Sequence, residues 1–418
     1  MSAGGDRRYD LLIVGGGPAG LAAAAEAAQS GLDVCLVDER PTFGGQIYKQ
    51  PGPGFRVRRP AALGRDFLRG RALIDAAERS GATLLPRTSV VSVRGATAVL
   101  VEDGGGARTV EARRLLLAPG AYDRPVVFPG WTLPGVITAG GAQTLVKTQR
   151  VLPGKQIVFA GSGPLALAFP AQLRGYGANV TMVLEAGPPP GVRDVARLLR
   201  AARGNESLLR DAVAYRAQLA RARVPLRYRR VIVRAEGDER VEAVVHARAD
   251  SAWRPIAGTE ERVASDTLCI GYGFFPSVEL LRLAVCELGY DEDRGGPVAV
   301  RDAWMRTSCP DVFAAGDGTG VAGSYVAIDE GRLAALGVAQ DLGAVRAVDA
   351  ELRAAPIRTR LRRKEAFRAA LQRMHAVGDG IYELATADTV VCRCEEVTQA
   401  VLDRAISSTA DVNVVKGY

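Results

Sequence analysis

Two glycine-rich motifs have the spacing that lets a backbone turn hold a pyrophosphate. The first is Gly15-Gly16-Gly17-Pro18-Ala19-Gly20, which follows an apolar run and precedes an Ala-rich stretch. Gly15 permits a tight turn, Gly17 lets the backbone approach the pyrophosphate, and Gly20 lets helix and strand pack closely. The N-terminus of the helix adds N–H donors and the positive end of its dipole. The motif therefore predicts a dinucleotide site between a strand and a helix, with Pro18 and Ala19 in its turn.

Two carboxylates follow the next apolar run, Asp33–Val37, which predicts a second buried strand. A carboxylate at the end of that strand can accept both hydrogen bonds from a ribose diol. By spacing, Asp38 is the favoured residue and Glu39 is the next. The glycine motif and its carboxylate do not by themselves distinguish FAD from NAD.

The second motif is Gly161-Ser162-Gly163-Pro164-Leu165-Ala166, which has Ala in the third place, as the fingerprint allows. Glu185 ends the following predicted strand, and no Arg comes directly after it to receive a 2′-phosphate. Gly161, Gly163, Ala166 and Glu185 therefore predict a site for NAD rather than NADP. Pro170 is unfavourable inside the predicted helix because it removes a hydrogen bond. Two alternatives stay open: a domain kept as scaffold, and a site for another adenine nucleotide without turnover.

A third segment, Asp311–Asp317, predicts a strand that ends in Gly316-Asp317. With this segment the sequence resembles the two-dinucleotide-domain flavoproteins, the class of thioredoxin and glutathione reductases, over roughly residues 8–340. The resemblance implies that Asp317 binds the ribityl chain of FAD. It also implies that Gly44-Gly45-Gln46 lies beside the flavin. Leu117-Ala118-Pro119-Gly120 matches the family's turn from the FAD domain into the inserted domain.

The cysteines and histidines limit the chemistry. Disulfide reductases of this fold carry a dithiol beside the flavin, but neither Gly44–Lys49 nor Gly135–Thr144 contains a cysteine. Disulfide reduction is therefore disfavoured. Single cysteines at four positions predict buried structural thiols: Cys35, Cys269, Cys286 and Cys309. Of the two histidines, His246 and His375, the second lies in a basic helical stretch and is expected at the surface. No grouping suggests zinc, and the sequence assigns no catalytic residue.

Cys392 and Cys394 form the most specific short motif outside the FAD site. Two thiolates one residue apart point the same way from an extended chain, and iron–sulfur clusters take four Cys ligands. The segment resembles the small [2Fe-2S] domain of bacterioferritin-associated ferredoxin, whose Cys-x4-Cys pair follows a helix. That helix is predicted at Gln399–Ser407, but the sequence reaches Tyr418 without a second pair. We expect a fragment cut inside this domain; a decayed site and ligands from a partner are the alternatives. A [2Fe-2S] cluster forms here only if the missing ligands are supplied.

Composition indicates a globular protein and excludes several classes of partner. The 418 residues are 48% apolar and 24% charged, and the net charge of +8 comes almost wholly from Arg. The basic cluster Arg358–Lys364 predicts the solvated face of a helix, so no nucleic acid is expected. The polar segment Met1–Asp10 has no signal-peptide core, and the apolar stretch Leu11–Ala25 is too short to span a bilayer. A cytoplasmic protein without a transmembrane segment is therefore predicted.

These features predict an α/β fold with two Rossmann-like dinucleotide-binding domains and a small α-rich C-terminal segment. The FAD-binding domain is discontinuous and comprises residues 1–150 and 263–345. An inserted NAD-type domain occupies residues 151–262. Residues 346–418 form a helical linker and the incomplete [2Fe-2S] segment.

The order of these parts resembles the FAD-containing subunits of opine oxidase, hydrogen cyanide synthase and dye-linked proline or hydroxyproline dehydrogenases. The segments Asp38–Tyr48 and Ser324–Arg332 fit that group. The resemblance implies that an amine-oxidase-like partner subunit oxidises the amine, and that this subunit passes electrons through FAD to an acceptor. Two alternatives are an NADH-dependent flavin reductase of the ferredoxin or rubredoxin reductase kind, and a non-catalytic FAD-binding assembly subunit.

Overall fold

The computed structural model describes residues 8–409, 411 and 415, and the chain divides into two compact units. The first comprises the described residues up to Tyr122 together with Lys147–Gln149 and Phe274–Ala369. The second comprises Asp123–Val146, Arg150–Gly273 and the described residues from Ala370 onward. Both are α/β with Rossmann-like sheets, which confirms the predicted fold class. The domain boundaries given above stay a prediction.

The strands, in chain order, are β1 (Tyr9–Val14), β2 (Val34–Val37), β3 (Thr83–Leu85), β4 (Thr88–Arg94), β5 (Thr97–Glu102), β6 (Ala107–Leu117), β7 (Ala121–Asp123), β8 (Val136–Thr138), β9 (Ile157–Gly161), β10 (Val180–Glu185), β11 (Leu226–Tyr228), β12 (Arg230–Glu236), β13 (Ala243–Arg248), β14 (Glu261–Ala264), β15 (Thr267–Gly271), β16 (Phe274–Pro276), β17 (Leu288–Asp291), β18 (Gly296–Ala299), β19 (Val312–Ala314), β20 (Val390–Cys392) and β21 (Val397–Thr398). The α-helices are α1 (Pro18–Gln29), α2 (Arg65–Arg79), α3 (Ala139–Gln143), α4 (Leu165–Gly175), α5 (Val192–Arg200), α6 (Glu206–Arg221), α7 (Glu279–Leu283), α8 (Ser324–Asp341), α9 (Ala347–Met374) and α10 (Gln399–Ser408). Within the described part of the chain, no helix is both long and apolar enough to cross a membrane.

The first unit contains a parallel sheet of β3, β2, β1, β6 and β19, which β5 and β4 extend with antiparallel pairing. The central part of this sheet is formed by the apolar runs Leu11–Val14, Val34–Val37 and Leu115–Leu117, as expected where both faces of a sheet are covered. On one face, the Ala-rich helix α1 packs against α8. A Cβ built on Gly331 of α8 would lie 2.1 Å from the carbonyl oxygen of Ala19, so small residues allow this close approach.

The second unit contains the parallel sheet β11-β10-β9-β15-β8 and the antiparallel sheet β12-β13-β14. Its parallel strands are apolar and buried, as in the first unit. Pro170 lies buried inside α4 rather than breaking it. Because proline has no backbone N–H, α4 lacks one backbone hydrogen bond at this residue.

Two expectations about single residues need correction. Cys35, Cys269 and Cys286 are buried as expected, but Cys309 is only partly buried, because it lies in a bend between the exposed residues Ser308 and Pro310. His375 is only partly exposed rather than a free surface residue: it comes directly after the last residue of α9, and its Nδ1 is buried.

Candidate functional site

Four strands of the first unit end at the same edge of the parallel sheet. In the register, Val14 of β1 lies opposite Val37 of β2 and Leu117 of β6. Ala314 of β19 lies opposite Leu117 on its other side. The residues that follow these strands include nearly all those predicted to hold FAD: Gly15, Gly17, Pro18, Ala19, Gly20, Asp38, Glu39, Gly120, Gly316 and Asp317. The carboxyl edge of such a sheet is where nucleotides bind in open α/β folds.

The backbone of the first turn requires the glycines that the motif predicts. Gly15 has a φ of +108°, and a Cβ on it would lie 2.1 Å from the carbonyl oxygen of Ala118. A Cβ on Gly20 would lie 1.9 Å from the carbonyl oxygen of Gly15. Gly17 faces Gly45, whose built Cβ would come within 2.8 Å of the Cα of Gly17. A side chain at Gly45 would therefore fill the space in front of the turn.

The carboxylate of Asp38 binds this turn directly. Its Oδ2 accepts a hydrogen bond from the N–H of Gly16 at 2.6 Å, and its Oδ1 accepts one from the N–H of Arg40 at 2.8 Å. Burial raises the pKa of Asp38, and these two N–H donors partly offset that effect. Glu39 is exposed to solvent. The geometry favours Asp38 over Glu39 as the ribose-binding carboxylate, which stays a prediction.

Asp317 is fixed in a turn after β19. Its Oδ1 accepts hydrogen bonds from the N–H groups of Ala322 and Gly323, each at 2.9 Å, and burial raises its pKa. A Cβ built on Gly318 would lie 2.8 Å from the Cγ of Pro119, so this turn packs against the turn that ends in Gly120. The structure therefore brings together two segments that are far apart in the sequence.

An ion pair that the sequence did not predict supports the Gly316 turn. Arg301 and Glu330 are joined at 2.5 Å, with side chains 11% and 7% exposed. The Oε2 of Glu330 also accepts the N–H of Gly316 at 2.8 Å. Glu330 lies in the segment Ser324–Arg332, but nothing in the spacing of that segment shows that its carboxylate turns toward Gly316.

Two buried lysines contact the loop that begins at Gly44-Gly45-Gln46. Lys49 Nζ donates a hydrogen bond to Gln46 Oε1 at 2.5 Å, and Lys147 Nζ donates one to the carbonyl oxygen of Ile47 at 3.3 Å. Burial lowers the pKa of Lys147. Neither lysine belongs to a motif, so sequence reasoning missed both of them.

These residues fit FAD. The glycine turn in front of α1 offers backbone donors to a pyrophosphate, Asp38 offers a carboxylate to a ribose, and Asp317 offers one to a sugar-like chain. A Cβ at Gly15 or Gly20 would clash with a backbone carbonyl oxygen and distort this turn, and a Cβ at Gly45 would fill the space in front of it. When bound, FAD supplies the capacity to accept and return electrons.

The second unit has its own glycine turn after β9. A Cβ on Gly161 would lie 2.2 Å from the carbonyl oxygen of Gly271, and Ala166 is buried. Glu185 is 3% exposed and accepts hydrogen bonds from the N–H groups of Gly163 at 3.0 Å and Gly187 at 2.9 Å. Burial raises the pKa of Glu185 to about 7, although the N–H donors oppose the shift.

His375 lies against this second turn. A Cβ built on Gly163 would lie 3.5 Å from both the Cβ and the Cγ of His375. Burial lowers the pKa of His375 to about 4, and Asp194 partly opposes that change. The sequence placed His375 at the surface because a lone histidine in a basic helix carries no sign of a distant contact.

The sulfur atoms of Cys392 and Cys394 lie 3.2 Å apart, where both could bind one metal centre. Cys392 ends β20 and is half-buried, whereas Cys394 is exposed. In the described part of the chain, no three His, Cys, Asp or Glu residues are grouped to hold a metal ion. The metal site at this pair therefore stays a prediction that needs further ligands.

Comparison with known proteins identifies the family. The model of the pyridine nucleotide-disulphide oxidoreductase family matches residues 9–340. Hydrogen cyanide synthase subunit HcnB of Pseudomonas protegens is 34% identical over 407 residues, which is 95% of this chain and 84% of that protein. One of the opine oxidase subunits of Rhizobium meliloti is 34% identical over 407 residues, covering 96% of this chain and 75% of that protein.

Among solved structures, L-proline dehydrogenase from P. horikoshii has the same fold, with a TM-score of 0.65 and 20% sequence identity. That match covers 98% of this chain and 69% of the other. The fold, the cradle that fits FAD and the family match agree with one another. The chain belongs to the pyridine nucleotide-disulphide oxidoreductase family and is an FAD-dependent oxidoreductase.

Proposed function

We propose that this chain is the electron-relaying FAD subunit of a multi-subunit amine or amino-acid dehydrogenase of the opine, glycine or proline type. The observation that carries the proposal is the similarity to subunits of hydrogen cyanide synthase and of opine oxidase over at least 95% of this chain. Both relatives are parts of larger enzymes by name, and the family model matches residues 9–340, which contain both glycine turns.

The residues of the first site support a relay rather than thiol chemistry. The turn at Gly15, Asp38 and Asp317 would hold FAD, and the buried lysines Lys49 and Lys147 add positive charge to the loop at Gln46. Neither that loop nor Gly135–Thr144 contains a cysteine. A disulfide substrate therefore has no dithiol in these segments with which to exchange.

The proposed partners follow from this role. An amine-oxidase-like flavoprotein subunit removes two electrons and two protons from a C–N bond to give an imine. Gly15, Asp38 and Asp317 of this chain would hold the FAD, which would supply the capacity to take up these electrons and return them to an acceptor, while the protons are released to solvent. Cys392 and Cys394 are proposed as ligands of a [2Fe-2S] cluster on that path, provided that further ligands are supplied. We place the complex in the cytoplasm.

A second candidate is an NADH-dependent flavin reductase. The turn at Gly161 and Gly163, with Glu185 at the end of β10, is the observation that favours it. In that case NADH would bind at Gly161, Gly163, Ala166 and Glu185, whereas another adenine nucleotide would bind there without turnover. A third candidate, a non-catalytic FAD-binding assembly subunit, would use the same residues without turnover.

Anaerobic mixing separates these candidates, with the flavin absorption band as the measurement. The relay predicts that NADH alone leaves the band unchanged, and that an amino acid with the partner subunit bleaches it. Rapid bleaching by NADH alone would contradict the relay and support the reductase. If neither reductant bleaches the band, the assembly role is supported. An Asp317→Asn variant that retains less FAD controls for flavin bound outside the proposed site.

A further inference from the structure

The second glycine turn is covered by a side chain of its own unit. In a dinucleotide fingerprint the second glycine lacks a side chain so that the backbone can approach the pyrophosphate. A Cβ built on Gly163 points into the space where the pyrophosphate would lie. The Cβ and Cγ of His375 are each 3.5 Å from this built Cβ. The imidazole therefore occupies space that a pyrophosphate needs.

The segment that begins at His375 is held against the second unit by contacts at several points along its length. We call residues 375–390 the C-terminal strap. The N–H of Gly380 donates to the carbonyl oxygen of Ala252 at 2.8 Å, and a Cβ on Gly378 would lie 2.6 Å from both that oxygen and the Cγ of Trp253. The backbone of the strap thus lies directly on the 252–253 turn.

Apolar and polar contacts hold the strap further along. Ile381 is 0% exposed and Leu384 is 7% exposed, and both belong to a core of the second unit. Arg254 makes two hydrogen bonds with Glu383, at 2.6 and 2.7 Å. Trp131 Nε1 donates to the carbonyl oxygen of Val390 at 2.5 Å. The position of His375 is therefore fixed by a segment that two buried side chains, Ile381 and Leu384, anchor to the second unit.

The donors of the turn are engaged as well. The N–H of Gly163 is bound by Glu185, whose other oxygen is bound by the N–H of Gly187. Asp38 of the first turn accepts two backbone N–H groups in the same way, so this contact is common to both turns. The feature that closes the second turn is His375 in front of Gly163.

From these contacts we propose that the C-terminal strap closes the second dinucleotide site, and that His375 is the residue that excludes a nucleotide diphosphate from the Gly163 turn. A dinucleotide then binds only when His375 moves away from Gly163. The inference concerns nucleotide binding alone and does not depend on the proposed amine dehydrogenase role.

Isothermal titration of the FAD-loaded protein with NAD⁺ tests this closure, because NAD⁺ cannot reduce the flavin and so reports binding only. ADP serves as a second probe with the same diphosphate. We expect His375→Ala to bind NAD⁺ and ADP at least tenfold more tightly than the unmodified chain. Arg373→Ala, an exposed neighbour in α9, should bind them as the unmodified chain does.

A second variant tests the strap without touching the turn. Ile381→Ala weakens the buried anchor, and we expect it also to tighten NAD⁺ binding, by a smaller factor than His375→Ala. Thermal unfolding and FAD content show whether each variant is folded. Equal or weaker NAD⁺ binding by folded His375→Ala would overturn the proposal. Tight binding of NAD⁺ by the unmodified chain, equal to that of His375→Ala, would overturn it as well.

Discussion

The two glycine turns of this chain share a sequence pattern but differ in what lies in front of them. Gly17 of the first turn faces Gly45, a residue without a side chain. Gly163 of the second turn faces the imidazole of His375. In both turns a carboxylate at a strand end, Asp38 or Glu185, binds a backbone N–H of the turn. The fingerprint thus specifies the turn, whereas a distant segment decides whether the turn is open.

The ion pairs near the two turns also differ in burial, and this difference can be tested by removing one partner of each pair. In the first unit, the ion pair Arg301–Glu330 holds the Gly316 turn, which lies beside the first glycine turn. In the second unit, the C-terminal strap covers the second glycine turn, and its ion pair Arg254–Glu383 is about half exposed. A buried pair and an exposed pair respond very differently to the loss of one partner.

The largest effect is expected from Glu330→Ala. The substitution leaves the guanidinium of Arg301 buried without its carboxylate and removes the acceptor of the Gly316 N–H. Loss of one partner of a buried ion pair costs about 3–5 kcal/mol, so the free energy of unfolding should fall by that amount. Chemical denaturation measures it, and FAD content should fall as well. The matched control is Glu383→Ala, which should leave the free energy of unfolding unchanged because the ion pair of Glu383 with Arg254 is about half exposed. Equal losses of stability in the two variants would contradict the distinction between the buried and the exposed ion pair.

Next in size is Gly15→Ala in the first turn. Its Cβ would overlap the carbonyl oxygen of Ala118 at 2.1 Å, and its φ of +108° is unfavourable for alanine. We expect a loss of about 2–4 kcal/mol in unfolding free energy and loss of FAD, read from the ratio of flavin to protein absorbance. Gly31→Ala has a positive φ of +86° but nothing within 4 Å, so it should show only the backbone cost of about 1 kcal/mol and keep its FAD. Full FAD retention by Gly15→Ala would show that the first turn is not the cofactor site.

A pH-dependent effect distinguishes the carboxylate of the second turn. Glu185 has a pKa of about 7 in the folded chain, above its value of 4.5 in the unfolded chain. The folded state therefore holds a proton that the unfolded state releases, and stability falls as pH rises from about 4.5 to 7, by up to about 1.4 kcal/mol per pH unit. Glu185→Gln removes this slope. Denaturation of both proteins at several pH values measures the difference, and parallel curves for the two proteins would contradict the role assigned to burial.

The sequence alone predicted the parts of the fold that depend on local pattern. The glycine spacing predicted the tight turn at Gly15 and the close packing at Gly20, because each follows from a backbone clash that any such strand–turn–helix unit has. It could not predict Arg301–Glu330 or His375 against Gly163, because contacts between distant segments leave no periodicity in the sequence. For the same reason, a lone histidine in a basic helix gave no indication that its ring is covered.

The smallest expected effect is a change in the pH dependence of stability caused by His375→Ala. Its pKa of about 4 in the folded chain lies below the usual 6.5, because burial disfavours the imidazolium. Between about pH 6.5 and 4 the unfolded chain binds a proton that the folded chain does not, so stability falls as pH falls. With partial exposure of the ring, we expect a total of roughly 2 kcal/mol over that range, which His375→Ala should abolish. Because Glu185 produces a slope of the opposite sign, the comparison needs the double variant with Glu185→Gln. If His375→Ala changes the pH slope in neither background, the ring is not held in a buried place, and the second turn is as open as the first.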